Sequence, residues 1–371
     1  MTGTTILIML AVLLPVIFIT AITPIITRRT EAFGVTIPEE VKSGAFVASH
    51  IKRYIGICIL LGVILLVSLY VVLNGQSNEN VIAWSYTGGI LLYMLVTFIA
   101  YYTSHTAIKS WKQQQPWYHE QIAVQRIVVQ TSFQPKRYVI SPLWYIPHLL
   151  LIAFTTAYSL IRYDDFPDVL PMKYDFSGQV TSSVEKSLQS VLMLSFIGLA
   201  IVITFLISHY AIVKSKQIVE SHDPQGSLER NRIFRFTWSI YTGIAGFIVV
   251  MIMCMGQLTP LQLWTPNDFK IVTAVGIGFV VIGAMILSIK LGQGGSRIVL
   301  RDPKQEASIN NADLDKYWKA GIFYWNPQDP AIFVEKRFGV GWSMNYANPL
   351  SWIIFIGILL IVLVPTFLLN M

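Results

Sequence analysis

Two histidines, His148 and His209, sit inside long apolar runs, and they are the first place to look for chemistry. An imidazole in a water-poor setting can relay a proton or ligate a metal. At ~1.5 Å of helix rise per residue, His148 lies about 10 Å from one end of its run and His209 about one turn from the end of its own. The two could therefore face each other at similar depth. A metal would need further ligands in register. His50, His105, His119 and His222 fall in polar segments without HxxH or HExxH spacing. No metal is expected, and both apolar-run histidines read as hydrogen-bonded packing groups. Proteolysis inside a bilayer needs paired aspartates, a Ser/His pair or a zinc motif. No Gly-x-Ser-x-Gly occurs and no apolar run holds two carboxylates. The chain is read as not an enzyme, with no catalytic residue and no cofactor.

The run Gly292-Gln293-Gly294-Gly295-Ser296-Arg297 has the glycine density of a phosphate-cradling loop. Such loops precede a helix, whose N-terminal amides face the anion. This run follows an apolar segment and lacks Gly-Lys-Ser/Thr, so a helix C-cap and turn is expected. The densest acidic stretch holds Asp164, Asp165, Asp168 and Asp175, interleaved with Pro167, Pro171 and Ser177-Gly178 as turn formers. It reads as a long, acidic surface loop.

The elements that must carry these groups are helices in lipid. Of 371 residues 54% are hydrophobic and 13% charged, against about 25% charged in soluble domains. A helix needs about 20 apolar residues to cross a bilayer. Eight runs qualify: 5–26, 54–73, 81–101, 141–161, 191–213, 234–255, 271–289 and 349–369. The predicted fold class is all-α integral membrane, a polytopic bundle of about eight transmembrane helices with a small cytoplasmic unit containing short β-strands. The first run has no basic leader and ends in Ile22-Thr23-Pro24, so it is expected to stay as a span and not be cleaved as a signal peptide.

If the runs alternate across the membrane, all of the 27 Lys and Arg except Arg162, Lys173, Lys186 and Lys270 fall on one side. Positive charge marks the cytoplasmic side, which places both termini and the acidic loop outside. The net charge of +7 then reflects orientation, and nucleic acid is not an expected partner. Cys58 and Cys254 lie in different apolar runs near opposite faces, too far apart for a disulfide. The domain reading is an N-terminal three-helix region (1–138), a helix–outer loop–helix domain (139–213), two further helices (214–289), a membrane-apposed cytoplasmic unit (290–349) and a last helix (350–371).

Within the cytoplasmic unit, Gln328-Asp329-Pro330 and Gly339-Val340-Gly341 signal turns, and 331–334 reads as a strand that pairs with strand-like runs at 127–129 and 297–300. Trp318, Phe323, Tyr324, Trp325, Phe338, Trp342 and Tyr346 alternate with Lys316, Lys319, Lys336 and Arg337. Aromatic and basic groups favour the headgroup region, so this unit is expected to rest on the lipid bilayer.

The stretch 141–213 resembles the domain of unknown function typified by SdpI-type bacteriocin-immunity membrane proteins. The shared pattern is a helix, an outer loop reading Pro171-Met172-Lys173-Tyr174-Asp175-Phe176-Ser177-Gly178, a downstream Lys186, and a second helix. Lys173 stands where that pattern has His. The C-terminal part resembles the uncharacterised domain that often accompanies it, through Trp318, Tyr324, Asn326-Pro327, Asp329-Pro330, Gly339-Val340-Gly341-Trp342 and Asn345.

The resemblance implies the plasma membrane of a Gram-positive bacterium, a membrane-active peptide as partner outside and a regulator protein as partner inside. The ligand-recognition candidates are Asp164, Asp165, Asp168, Pro171, Lys173, Tyr174, Asp175, Gly178 and Lys186. The cytoplasmic-unit candidates are Gly292, Gly294, Gly295, Arg297, Trp318, Tyr324, Asn326, Asp329, Gly339, Gly341, Trp342 and Asn345. The expected function is immunity or signalling toward a membrane-active peptide; the alternative is transport or export of a lipid or amphipathic peptide.

Overall fold

In lipid every backbone N–H and C=O must be paired inside its own segment, so apolar runs fold as helices. The computed structural model describes residues 3–118, 138–174, 180–218, 223–300 and 315–368. Its long helices are α1 (Gly3–Ile26), α2 (Ala45–Leu73), α3 (Glu79–Gln113), α4 (Ile146–Ile161), α5 (Leu188–Lys214), α6 (Pro224–Leu258), α7 (Pro266–Leu291) and α8 (Pro349–Leu368). Among the described residues seven are long and apolar enough to cross a membrane, α4 together with its leading 3-10 turn Pro142–Tyr145. The eighth expected span is the 20-residue α8, whose apolar stretch counts as the shorter Pro349–Ile361. The chain is a polytopic, all-α membrane protein with small β-hairpins.

Several helices outrun their apolar cores. α3 continues to Gln113, beyond the apolar limit at 101, and α6 begins at Pro224, ten residues before the apolar run. Hydropathy stops at the headgroups, whereas helical hydrogen bonding does not.

The strands pair into four two-stranded antiparallel sheets: β1 (Glu31–Ala32) with β2 (Val35–Thr36), β3 (Val169–Tyr174) with β4 (Val180–Glu185), β5 (Trp318–Lys319) with β6 (Phe323–Tyr324), and β7 (Phe333–Glu335) with β8 (Trp342–Met344). This corrects part of the strand reading. The run 331–334 yields β7, but its partner is 342–344, and 297–300 forms no strand. Gly292, Gly294 and Gly295 all take positive φ there, and the Arg297 guanidinium bonds the carbonyls of Ile289 (2.9 Å) and Ile25 (3.3 Å). The segment caps helix ends, leaving Val299 87% exposed. The run 127–129 lies outside the described residues.

The chain divides into two compact units. Unit 1 is Met1–Lys136, Ser215–Phe234 and Met285–Asn348; unit 2 is Arg137–Lys214, Arg235–Ala284 and Pro349–Met371. In unit 1, α2 packs between α1 and α3. Gly62 of α2 lets Ile17 of α1 approach so closely that a Cβ there would lie 2.5 Å from a side-chain methyl. Ile6, Leu13, Leu65, Leu69 and Ile82 fill one end of this trio. The other end is closed by the β1–β2 hairpin, whose Phe33 is fully buried against Tyr54, Tyr101 and Phe338. Phe33 and Gly34 both have positive φ (47° and 75°), the two-residue turn whose twist suits a hairpin. In unit 2, α5 packs against α4 and α8, around Tyr145, Ile152, Val202, Val250 and Cys254. Both cysteines are free and buried.

Candidate functional site

The β3–β4 hairpin connects α4 to α5 in unit 2. Proline offers no N–H to a ladder, and the register slips between Pro171 and Lys173 and again between Lys173 and Tyr174. Ser187 and Ser190 bond reciprocally at the start of α5, Ser190 N to Ser187 Oγ at 3.1 Å and Ser187 N to Ser190 Oγ at 2.9 Å. This is a capping box with serine in the acidic position. It fixes where the hairpin ends and the helix begins.

Lys186 ties the base of the hairpin. Its ammonium donates to the Phe166 carbonyl (2.9 Å), lies 3.4 Å from Asp168, and sits over the Tyr163 ring. Asp168 is 97% exposed along its side chain. Asp164 and Asp165 are also exposed, and Asp165 pairs with Arg162. The hairpin therefore has a carboxylate-bearing rim. Below it Phe166, Leu170 and Val191 are buried together. Asp175 and Gly178 lie outside the described residues, and of Lys173 and Tyr174 only the backbone, in β3, is described.

A cavity of about 130 Å³ opens under the hairpin, lined by Leu170, Pro171, Met172, Val191, Leu194 and Gln257 among others. Its polar lining is Ser190 and Gln257, and Gln257 is held rigidly: Ser195 donates to its Oε1 (2.7 Å) and its Nε2 donates to Ser159 (2.9 Å). Thr156 donates to Ser195 in turn (2.8 Å). The hollow is thus mostly apolar.

His148 and His209 flank the same Tyr145 ring, at centroid distances of 5.0 and 5.7 Å. His148 Nε2 donates to the Gly243 carbonyl (3.0 Å), which is the packing role expected of it. His209 differs. Its ring nitrogens are buried with no hydrogen-bond partner among the described residues, so the Tyr145 contact holds it instead.

In unit 1 the expected cytoplasmic-unit residues surround an ion network that the sequence reading missed. Arg28 pairs with Glu335, whose other oxygen accepts from Asn231 (2.5 Å). Arg337 pairs with Asp315, lies 3.8 Å from Glu31 and covers the Trp318 ring. Lys112 reaches Asp315 at 2.8 Å, and Thr36 donates to it through both its amide and its hydroxyl. Burial works against the Asp315 charge, but Arg337 and Lys112 outweigh it and hold the carboxyl down at about 2. For Glu31 burial wins over Arg28 and Arg337 and pushes the carboxyl up to about 7.

Glycines make room for this network. A Cβ on Gly294 would lie 2.5 Å from the Arg28 guanidinium, and one on Gly295 would lie 2.4 Å from the Arg230 carbonyl. The Gly339 amide donates to Thr27 Oγ1 (2.9 Å), and Gly341 exchanges two hydrogen bonds with the Gln293 side chain. Trp342 packs on Phe234. Asn345 braces the turn beside it, donating to the carbonyls of Asn326 and Asp329. Asp329 accepts from Lys216 (2.6 Å) and Tyr324 (2.7 Å). Gly292 and Arg297 form the turn after α7, apart from these contacts. The one sequence signal for the network was the placement of Arg28 and of Glu335-Lys336-Arg337 beside apolar segments.

Residues 150–199, the end of α4 through the hairpin into α5, match a domain of unknown function (DUF1648). Residues 327–352, containing β7 and β8, match a family of unknown function (DUF5808). No curated protein and no solved structure matches the chain.

Proposed function

We propose that this protein is a non-enzymatic receptor or immunity factor of a bacterial plasma membrane, and that the hairpin of unit 2 takes a cationic, amphipathic peptide. The observation that carries this reading is the cavity under β3–β4, mostly apolar with Ser190 and Gln257 as its polar lining, in a hairpin region that also exposes Asp164, Asp165 and Asp168. A membrane-active peptide has the complementary halves, an apolar face for the hollow and cations for the rim. The likeness of 141–213 to SdpI-type immunity proteins points the same way. The charge bias of the loops supports an external hairpin, and the polar segments 27–53 and 315–348 would then be cytoplasmic and available to a regulator.

Transport of a lipid or peptide is the second reading, and the chain from the half-buried Thr156 to the buried Ser195, Gln257 and Ser159 is the feature that raises it. Those groups satisfy one another, which suits packing better than a conduction path. Deletion of the gene tests the proposal. Survival should fall on exposure to membrane-active cationic peptides and recover with the wild-type gene. Unchanged survival across a broad peptide panel would remove the reading.

A further inference from the structure

A second cavity, of about 360 Å³, opens in unit 1 where α1 and α7 end. Its wall carries three cations, Arg29, Lys42 and Arg297, against one carboxylate, Glu39. Two of the cations are anchored. Lys42 donates to the carbonyls of Thr27 (3.3 Å) and Arg28 (2.7 Å), and Arg297 to those of Ile289 and Ile25. These bonds neutralise helix C-termini and at the same time fix the positive groups around the hollow. Arg29 is half exposed and pairs with Glu39 at 3.0 Å. Ser296 also lines the cavity; it is 8% exposed, and its hydroxyl has no hydrogen-bond partner among the described residues. Ile25 supplies an apolar edge.

We propose that this cavity binds a phosphate group, as a mono- or diester, through Arg29, Lys42, Arg297 and Ser296. Guanidinium and ammonium groups bonded to phosphate oxygens are among the stronger polar contacts, and a preset cluster binds without ordering long side chains first. The site differs from a phosphate-cradling loop: side chains hold the anion, and the glycines of 292–295 only shape the turn that presents Ser296 and Arg297. Lys42 fits this role. Burial pushes its ammonium down to about 8 although Glu31 and Glu39 oppose the shift, while Arg297 and Arg29 add to it, and a bound anion would counter it. The phosphate could come from an anionic lipid headgroup reaching past Ile25 or from a soluble phosphate ester, and one experiment separates the two.

Full-length protein is placed in phosphatidylcholine nanodiscs with and without phosphatidylglycerol, and separately titrated with glycerol phosphate. Thermal midpoint and native mass spectrometry are the readouts. Saturable gain with phosphatidylglycerol alone supports a lipid site; gain with glycerol phosphate also supports a soluble ester. In either case Arg29→Gln should weaken binding about tenfold, the loss of one charge-assisted contact, while Glu39→Gln strengthens it. Arg29 is exposed, so its replacement leaves the fold intact. No saturable gain from either probe, or equal gain in wild type and Arg29→Gln, would overturn the proposal.

Discussion

Arg28 and Glu335 stand 307 positions apart in the chain and meet as an ion pair with side-chain exposures of 4% and 0%. Two charges are withdrawn from water at a cost that their attraction must offset, and Asn231 satisfies the remaining Glu335 oxygen. The pair joins the segment after α1 to strand β7, so it specifies how the C-terminal part of unit 1 seats on the first helices.

Removing one partner should therefore be far worse than removing both. Glu335→Ala is expected to cost about 3–5 kcal/mol, because it removes the carboxylate paired with the buried Arg28 guanidinium. Arg28→Met with Glu335→Leu should cost less than either single change. Denaturant unfolding in mild detergent measures all three; strict additivity would contradict the pairing.

Gly34 holds φ at 75°, and a Cβ there would lie 2.4 Å from the Gly321 carbonyl oxygen. Gly34→Ala combines a positive-φ penalty with a backbone clash and should destabilise unit 1 by more than about 1 kcal/mol. Gly75 also has positive φ but has open space around it. Gly75→Ala should cost only the conformational part, so the difference between the variants isolates the clash.

The Glu31 carboxyl gives unit 1 a pH signature. Its value of about 7 in the fold exceeds the ordinary 4.5, so the folded state takes up a proton between those limits. Its contribution is fully present below pH 4.5 and is lost as pH rises through 7, worth up to about 3 kcal/mol. Asp315 has the opposite sign, with stability present above 3.8 and lost as pH falls toward 2, so it is silent in the same window. Glu31→Gln should raise the thermal midpoint at pH 8 and change little at pH 4.5. An equal change at both values would contradict the assignment.

Gln257 bonds Ser195 and Ser159 within unit 2. Gln257→Leu removes the acceptor of the Ser195 hydroxyl and the donor to Ser159 and should cost about 1–3 kcal/mol, while also making the cavity under the hairpin less polar. Thermal unfolding measures the first effect and peptide affinity the second.

Much of this architecture was legible because lipid imposes a simple code. Apolar length predicts the spans, and it misplaces ends such as that of α3 only where polar residues carry the helix onward to Gln113. A turn-bearing loop was visible in Pro167, Pro171 and Ser177-Gly178, but Pro171 lies inside β3 and the bulged register was not visible, because it depends on which amide Pro171 cannot supply. The ion network was invisible for a different reason. Arg28, Asp315, Glu335 and Arg337 carry no motif, and charges flanking a span look alike whether they face water or one another. Only the fold of the chain after α7 brings them together. The strand expected at 297–300 failed similarly, because its β-favouring residues could not show that Arg297 would be used at the ends of two helices.

The proposed function makes the hairpin a receptor for a cationic amphipathic peptide. Fluorescence titration of a labelled peptide of that kind against nanodisc-embedded protein tests it directly. Saturable binding that weakens with salt, and weakens further with Asp164→Asn, Asp165→Asn and Asp168→Asn combined, is the predicted result. Partitioning that equals that of empty nanodiscs, or binding indifferent to all three carboxylates, would contradict it.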